Sequence, residues 1–131
     1  MQYSLNVLKL LADSSRLRIV LLLKDRELCV CQIMGVLNIS QPLVSKNLSM
    51  LREAGLLKSR KDGKQVYYCL KKRMKQPAAS IINELSSALI KDRIYISDIT
   101  SMKECEEFQK KTGKCGMQGL KEFMKHHRKS K

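Results

Sequence analysis

Five cysteines stand in this chain of 131 residues, and two of them are one residue apart, in Glu27-Leu28-Cys29-Val30-Cys31. The others are Cys69, Cys105 and Cys115. Thiolates are soft ligands that select soft, thiophilic ions. An odd count with a Cys-x-Cys pair argues against a disulfide framework and for thiol chemistry in a reducing cytoplasm. Cys29 and Cys31 fall where a helix should begin, and helix N-termini favour the thiolate form. Residues i and i+2 of an intact helix point to nearly opposite sides. Both sulfurs therefore grip one ion only if that first turn opens or distorts. The bland alternative is that each is a small buried hydrophobe. His126 and His127 read as solvated residues of a basic end segment, since they lack further zinc ligands at sensible spacing.

The second chemistry is charge. The formal net charge is +14, which calls for an anionic partner, nucleic acid being the usual one. Simple solubility does not explain why the charge is clustered. Between positions 52 and 76 lie Arg52, Lys58, Arg60, Lys61, Lys64, Lys71, Lys72, Arg73 and Lys75, against the acids Glu53 and Asp62 alone.

The elements that must carry these groups follow from the periodicities. Leu5, Leu8, Leu11 and Ala12 recur at helical spacing, Asp13-Ser14-Ser15 make a capped break, and Leu17, Val20 and Leu21 resume the pattern. Ile19–Leu23 is apolar on all sides, so this second helix should be the most buried, and Asp25–Glu27 ends it. A third helix starts near Cys29, with Val30, Ile33 and Leu37 on one face. Asn38-Ile39-Ser40 is a short turn, Ser40 an N-cap and Pro42 a first-turn proline. The fourth helix runs to Ala54 and stops at Gly55, with Val44, Leu48 and Leu51 inward. The period then changes to two: a strand over Lys58–Lys61, the hairpin signal Asp62-Gly63, and a return strand through Val66, Tyr68 and Leu70. After Pro77, the 4-3-4 repeat Ala78, Ile82, Leu85, Leu89, widened by Ile81 and Ala88, is a heptad seam that we read as a dimer face, with ordinary core packing as the rival. From Asp98 the pattern weakens to Met102, Cys105 and Phe108, and Gly113, Gly116 and Gly119 break it. The expected organisation is a mainly α winged helix-turn-helix with a small β-hairpin over residues 1–97, and a basic, cysteine-containing tail over 98–131.

Helix, turn, helix and basic hairpin suit DNA. A helix fits the major groove, and Gln41, Ser45, Lys46 and Ser49 lie opposite the apolar stripe of the fourth helix. Gln41 can read adenine bidentately, Ser45 bonds bases or phosphate, and Lys46 suits guanine or phosphate. Ser40 caps the helix end that attracts phosphate. Arg60, Lys61 and Lys64 on the hairpin reach the backbone or minor groove. Two such units about 34 Å apart would read an inverted repeat in double-stranded DNA.

Three stretches resemble the ArsR/SmtB family of metal-sensing repressors. Residues 27–31 resemble the signature of its arsenite-sensing members, Ile39 to Leu57 its recognition helix, and Arg60 to Tyr68 its wing. The likeness runs from about Leu5 to Leu89. It implies a winged-helix homodimer, joined through its first and last helices, that represses a detoxification operon and is released by inducer. Three thiolates would hold trivalent arsenic or antimony, and Cys29 and Cys31 are two of them. The chain departs from the family at Asn47, where members usually have His, and at Met34, where arsenite sensors often carry a third cysteine.

Cys105 and Cys115 are the candidates for the third ligand, an external thiol is another, and Cys69 reads as strand packing. No His lies between Pro77 and Ser97, which counts against a zinc or nickel site on that helix. Cadmium or lead on thiolates, or oxidation of Cys29 or Cys31, are the alternative signals within the same fold. No phosphate-cradling loop, βαβ pattern or Cys–His frame supports an enzyme. No permanent cofactor is expected. Nothing in Met1–Ala12 reads as a secretion signal and no apolar run reaches a membrane span, so the expected place is the cytoplasm.

Overall fold

The computed structural model describes residues 1–112. α1 (Gln2–Leu11) and α2 (Ser14–Leu23) meet at a tight corner. Asp13 makes it: its backbone is extended, and its carboxylate accepts from the Arg16 N–H at 3.0 Å, satisfying a donor the helix start leaves open. Ile19 through Leu23 are all buried, so α2 is the post around which the other elements gather.

β1 (Leu28–Cys29), α3 (Val30–Leu37) and α4 (Gln41–Glu53) follow. Asn38 ends α3 in the left-handed region at φ +55°, its N–H donating to the Met34 carbonyl at 2.9 Å. Ser40 caps α4 through its Oγ, which accepts from the Leu43 N–H at 3.4 Å. At the other end Gly55 takes φ +82°, and the N–H groups of Gly55 and Leu56 reach the carbonyls of Arg52 and Leu51 at 3.0 and 3.1 Å. That double closure is the Schellman arrangement, and it needs a residue tolerant of positive φ.

β2 (Leu57–Asp62) and β3 (Gln65–Leu70) form the hairpin. Asp62 pairs with Gln65, so the two-residue loop is Gly63-Lys64, one position later than the Asp-Gly pair suggests. Gly63 holds φ +63° at its first position, where glycine is favoured. The sheet has three strands in the order β1-β3-β2, all antiparallel, with Leu28 opposite Tyr68 and Cys29 opposite Tyr67. β1 was not expected from the sequence.

The α5 (Ala78–Ala88) seam divides: Ala78 and Ile82 are fully covered and Ile81 and Leu85 pack partly buried against the same cluster, while Ala88 is exposed and Leu89 half-buried. The first half of the stripe is thus core of its own chain, and its far end faces outward. One expectation about the last third requires correction. The boundary expected between 97 and 98 falls inside α6 (Arg93–Thr112), which is continuous. Asp98, Ser101, Met102 and Cys105 are buried, so residues 98–112 belong to the same packed unit. The buried stripe of α6 is half polar, which is why its periodicity looked weak. Cys115, His126 and His127, with the three glycines around them, lie outside the described residues. Among the described residues no helix is long and apolar enough to cross a membrane.

Candidate nucleic-acid interface and thiol site

α4 divides cleanly into two faces. Val44, Asn47, Leu48 and Leu51 are buried, while Gln41, Pro42, Ser45, Lys46 and Ser49 are exposed. Gln41, Ser45 and Ser49 are spaced by four and so share one outward row. Ser40, also exposed, sits at the helix N-terminus, where open N–H groups and the helix dipole favour an anion. The structure thus brings Ser40, Gln41, Ser45 and Lys46 together on one surface.

Asn47 is turned the other way and is 1% exposed. Its Oδ1 accepts from Arg16 at 3.4 Å, while its Nδ2 is buried without a hydrogen-bond partner. Arg16 also donates to the Leu10 carbonyl at 2.8 Å. So Asn47 fixes α4 against the α1–α2 corner and is withdrawn from the outward row.

Lys61 and Lys64 are exposed at the hairpin tip. Arg60, grouped with them from the sequence, is engaged differently. Its guanidinium grips the Glu27 carboxylate at 2.6 and 3.2 Å, stands 3.6 Å from Asp62, and lies 5.1 Å from the centre of the Tyr67 ring. The Arg60 hydrogen bond holds the Glu27 carboxyl below its ordinary range, and Glu27 in turn raises the Arg60 guanidinium. Arg60 therefore ties β2 to the segment just before β1.

Cys29 occupies the junction of these parts. It is 0% exposed, pairs with Tyr67 as the last residue of β1, and is the N-cap of α3. Its backbone is extended, with φ −90° and ψ 168°, so it stands outside the helix. A capping box closes the end: the Cys29 sulfur faces the Gln32 N–H, and Gln32 Oε1 accepts from the Cys29 N–H at 2.9 Å. Cys31, in the first turn of α3, is half-buried. The two residues are therefore not an i, i+2 pair within one helix. Cys29 is held by this cap and by the strand pairing, where the sequence suggested helix geometry.

α6 holds α3 at both ends. Gln32 Nε2 donates to Gln109 Oε1 at 3.1 Å near the start of α3. At its far end Arg18 donates to the Leu37 carbonyl at 3.0 Å and bridges to Asp98 of α6 at 2.8 and 3.0 Å. Asp98 raises the Arg18 guanidinium chiefly through that hydrogen bond. Cys105 is buried on α6, between these two ties. Cys69, on β3, lines a separate cavity with Leu23, Met74 and Ile82. Among the described residues no three His, Cys, Asp or Glu side chains already stand as a metal site.

Sequence reasoning missed β1, Arg16, Arg18, Asp98, Gln32 and Gln109. Each acts on a partner distant in sequence. One signal was available: Glu27, two residues before the thiol pair, is an acid within reach of a basic hairpin, yet it was read only as a helix end and as part of the signature.

The model for "Bacterial regulatory protein, arsR family" matches residues 13–59, from the α2 cap into the wing. The arsenical resistance operon repressor of Escherichia coli K12 is 49% identical over 81 residues, which is 61% of this chain and 69% of that protein. A cadmium resistance transcriptional regulatory protein, CadC of Listeria innocua, is 44% identical over 64 residues, 48% of this chain and 54% of that one. Among solved structures, reduced HlyU from Vibrio cholerae superposes with a TM-score of 0.61 at 30% identity, covering 68% of this chain and 90% of that chain. Fold, site geometry and relatives agree, and the chain belongs to the arsR family of bacterial regulatory proteins.

Proposed function

We propose that this transcriptional repressor binds an inverted-repeat operator as a homodimer in the cytoplasm, and that arsenite or antimonite releases it by bonding to Cys29 and Cys31. The outward row Gln41, Ser45 and Lys46 enters the major groove, with Ser40 at the phosphate-attracting helix end. Lys61 and Lys64 meet the backbone. Arg60, already held by two carboxylates, positions the hairpin more than it neutralises phosphate. Leu5 and Leu8 on α1, and Ile90 and Ile94 at the α5–α6 corner, are apolar side chains the fold leaves exposed, and a second copy of the chain covers them. Repression needs no catalytic residue, and none is assigned.

The observation that carries the reading is the place of Cys29. It belongs at once to the wing sheet, through Tyr67, and to the cap of α3, the helix that leads into α4. Arsenite enters as a hydroxide, and each As–S bond formed releases one water as an As–O bond breaks and the thiol proton moves to the leaving oxygen. No electron is exchanged. The buried Cys29 sulfur cannot reach such an ion while the cap and strand pairing persist. Binding to the ion-holding form and binding to DNA thus draw on different conformations, and the ion shifts the population by its differential affinity.

Similarity to the cadmium regulator supports a second reading, in which cadmium or lead uses the same thiols. One titration decides: operator binding by fluorescence anisotropy, with arsenite, antimonite, cadmium, lead, zinc or peroxide added. We expect release by arsenite and antimonite, and none in the Cys29→Ser/Cys31→Ser variant. Release that persists in that variant removes the site from the mechanism. Release by peroxide alone replaces ion capture with oxidation.

A further inference from the structure

We infer that the third sulfur comes from Cys105 of α6 in the same chain, so that the ion is held between α3 and α6. This rests on the reading that Cys29 and Cys31 capture the ion, and it adds what completes the site.

Gln32 links the start of α3 to α6. Its side chain accepts from the Cys29 N–H at 2.9 Å and donates to Gln109 of α6 at 3.1 Å. Gln109 therefore marks where α6 passes the thiol-bearing turn of α3. Cys105 lies four residues before Gln109, on the same face and about one turn of helix away. It is 4% exposed and packs in the same core as Ile33 of α3. Cys105 thus lies on the buried face of α6 that passes α3, one turn from the residue tied to the thiol-bearing turn and on the side towards Asp98. The position that resembles the family's third cysteine is Met34, whose side chain packs partly buried against the core. A sulfur delivered by α6 replaces it from the opposite wall.

The three sulfurs are gathered and not waiting, since no three-ligand set is preformed among the described residues. Arsenous acid loses its three hydroxyls as three waters, taking up three thiol protons, and forms three As–S bonds without redox change. Gathering the sulfurs draws α6 against the start of α3, at the expense of the Gln32–Gln109 bond and the capping box. Asp98, on the same rigid α6, transmits that displacement through Arg18 to the Leu37 carbonyl, three residues before the Ser40 cap of α4.

The test uses the full reduced chain, with two arsenic probes and a count of thiols shielded from a disulfide reagent. Arsenite takes three thiolates and phenylarsine oxide only two. Cys105→Ser should weaken arsenite binding by about tenfold or more, which is about 1.4 kcal/mol, and lower the shielded thiols from three to two. Its affinity for phenylarsine oxide should stay unchanged, which also certifies that the variant is folded. Cys105→Ala, more tolerant of the buried position, should do the same. Cys69→Ser and Cys115→Ser should keep three shielded thiols. Unchanged arsenite affinity in both Cys105 variants, or equal loss for both probes, overturns the inference and leaves the Cys29/Cys31 reading intact. Full phenylarsine oxide binding by Cys29→Ser/Cys31→Ser overturns that reading instead.

Discussion

The outward row of α4 and the α3–α6 junction lie within one small domain, yet they are built on opposite principles. Gln41, Ser45 and Lys46 are exposed, with their hydrogen-bonding capacity turned to solvent. Cys29, Gln32, Arg18 and Asp98 are buried or half-buried and held by hydrogen bonds that span from 3 to 80 residues of sequence. A surface that reads a partner must keep its groups uncommitted until the partner arrives. A switch must hold one arrangement firmly enough that leaving it costs free energy, and only a committed network does that. Substitutions in the two regions should therefore fail in different ways: at the junction they should cost folding stability, and on the row they should cost recognition.

The largest effect should come from Asp98→Ala. It leaves the Arg18 guanidinium, one quarter exposed, with the Leu37 carbonyl as its remaining partner in that network. Losing one member of a buried pair is strongly destabilising, and the partial exposure of Arg18 moderates it to about 2–3 kcal/mol. Thermal unfolding should move down by about 10 °C. A drop of under 2 °C would show the junction to be no more committed than the surface, and the contrast would fall.

Recognition should change next, and without loss of stability. Gln41→Ala should cost about 1–3 kcal/mol on the operator while leaving binding to unrelated DNA unchanged. Lys64→Ala should weaken both alike and reduce the salt slope by about one. Anisotropy titrations on the two DNAs at several salt concentrations separate these outcomes. If Gln41→Ala weakened both DNAs equally, α4 would be gripping phosphate and not reading bases.

The same division explains what was legible in the sequence. Asp13, Ser40 and Gly55 act on backbone two or more residues away along the chain, so residue type and order announce them. The outward row of α4 was legible because its opposite face is a plain apolar stripe. β1 was not, since two residues carry no period and only Tyr67 and Tyr68, far along the chain, make them a strand. α6 was hidden by chemistry: a buried aspartate and serine read as surface until Arg18 is seen to meet the former. Arg60 misled in the opposite sense, since a hairpin arginine reads as a phosphate contact until Glu27 is placed against it. The α5 seam shows that a heptad stripe does not state how its surface is divided: Ala78 and Ile82 are buried in their own chain, while Ala88 is left exposed.

Glu27 lies between the two regions and should give the smallest effect. Its bond to Arg60 joins the exposed wing to the residue before β1, so it belongs to the junction by connectivity and to the surface by exposure. Arg60 lowers the folded-state pKa of Glu27. A carboxyl lowered in this way adds stability above its unfolded pKa and gives it up as the pH falls through the lowered value. Glu27→Gln lacks that contribution at every pH. The melting temperatures of the two proteins should differ slightly at pH 7 and converge below about pH 4, where unpaired carboxyls gain their protons. The gap at pH 7 should also shrink in high salt, because the pair is exposed to screening. A gap that stayed constant through the acid range would mean that Glu27 contributes by shape and not by charge. The wing would then owe its position to β1–β3 pairing, in which Cys29 stands opposite Tyr67.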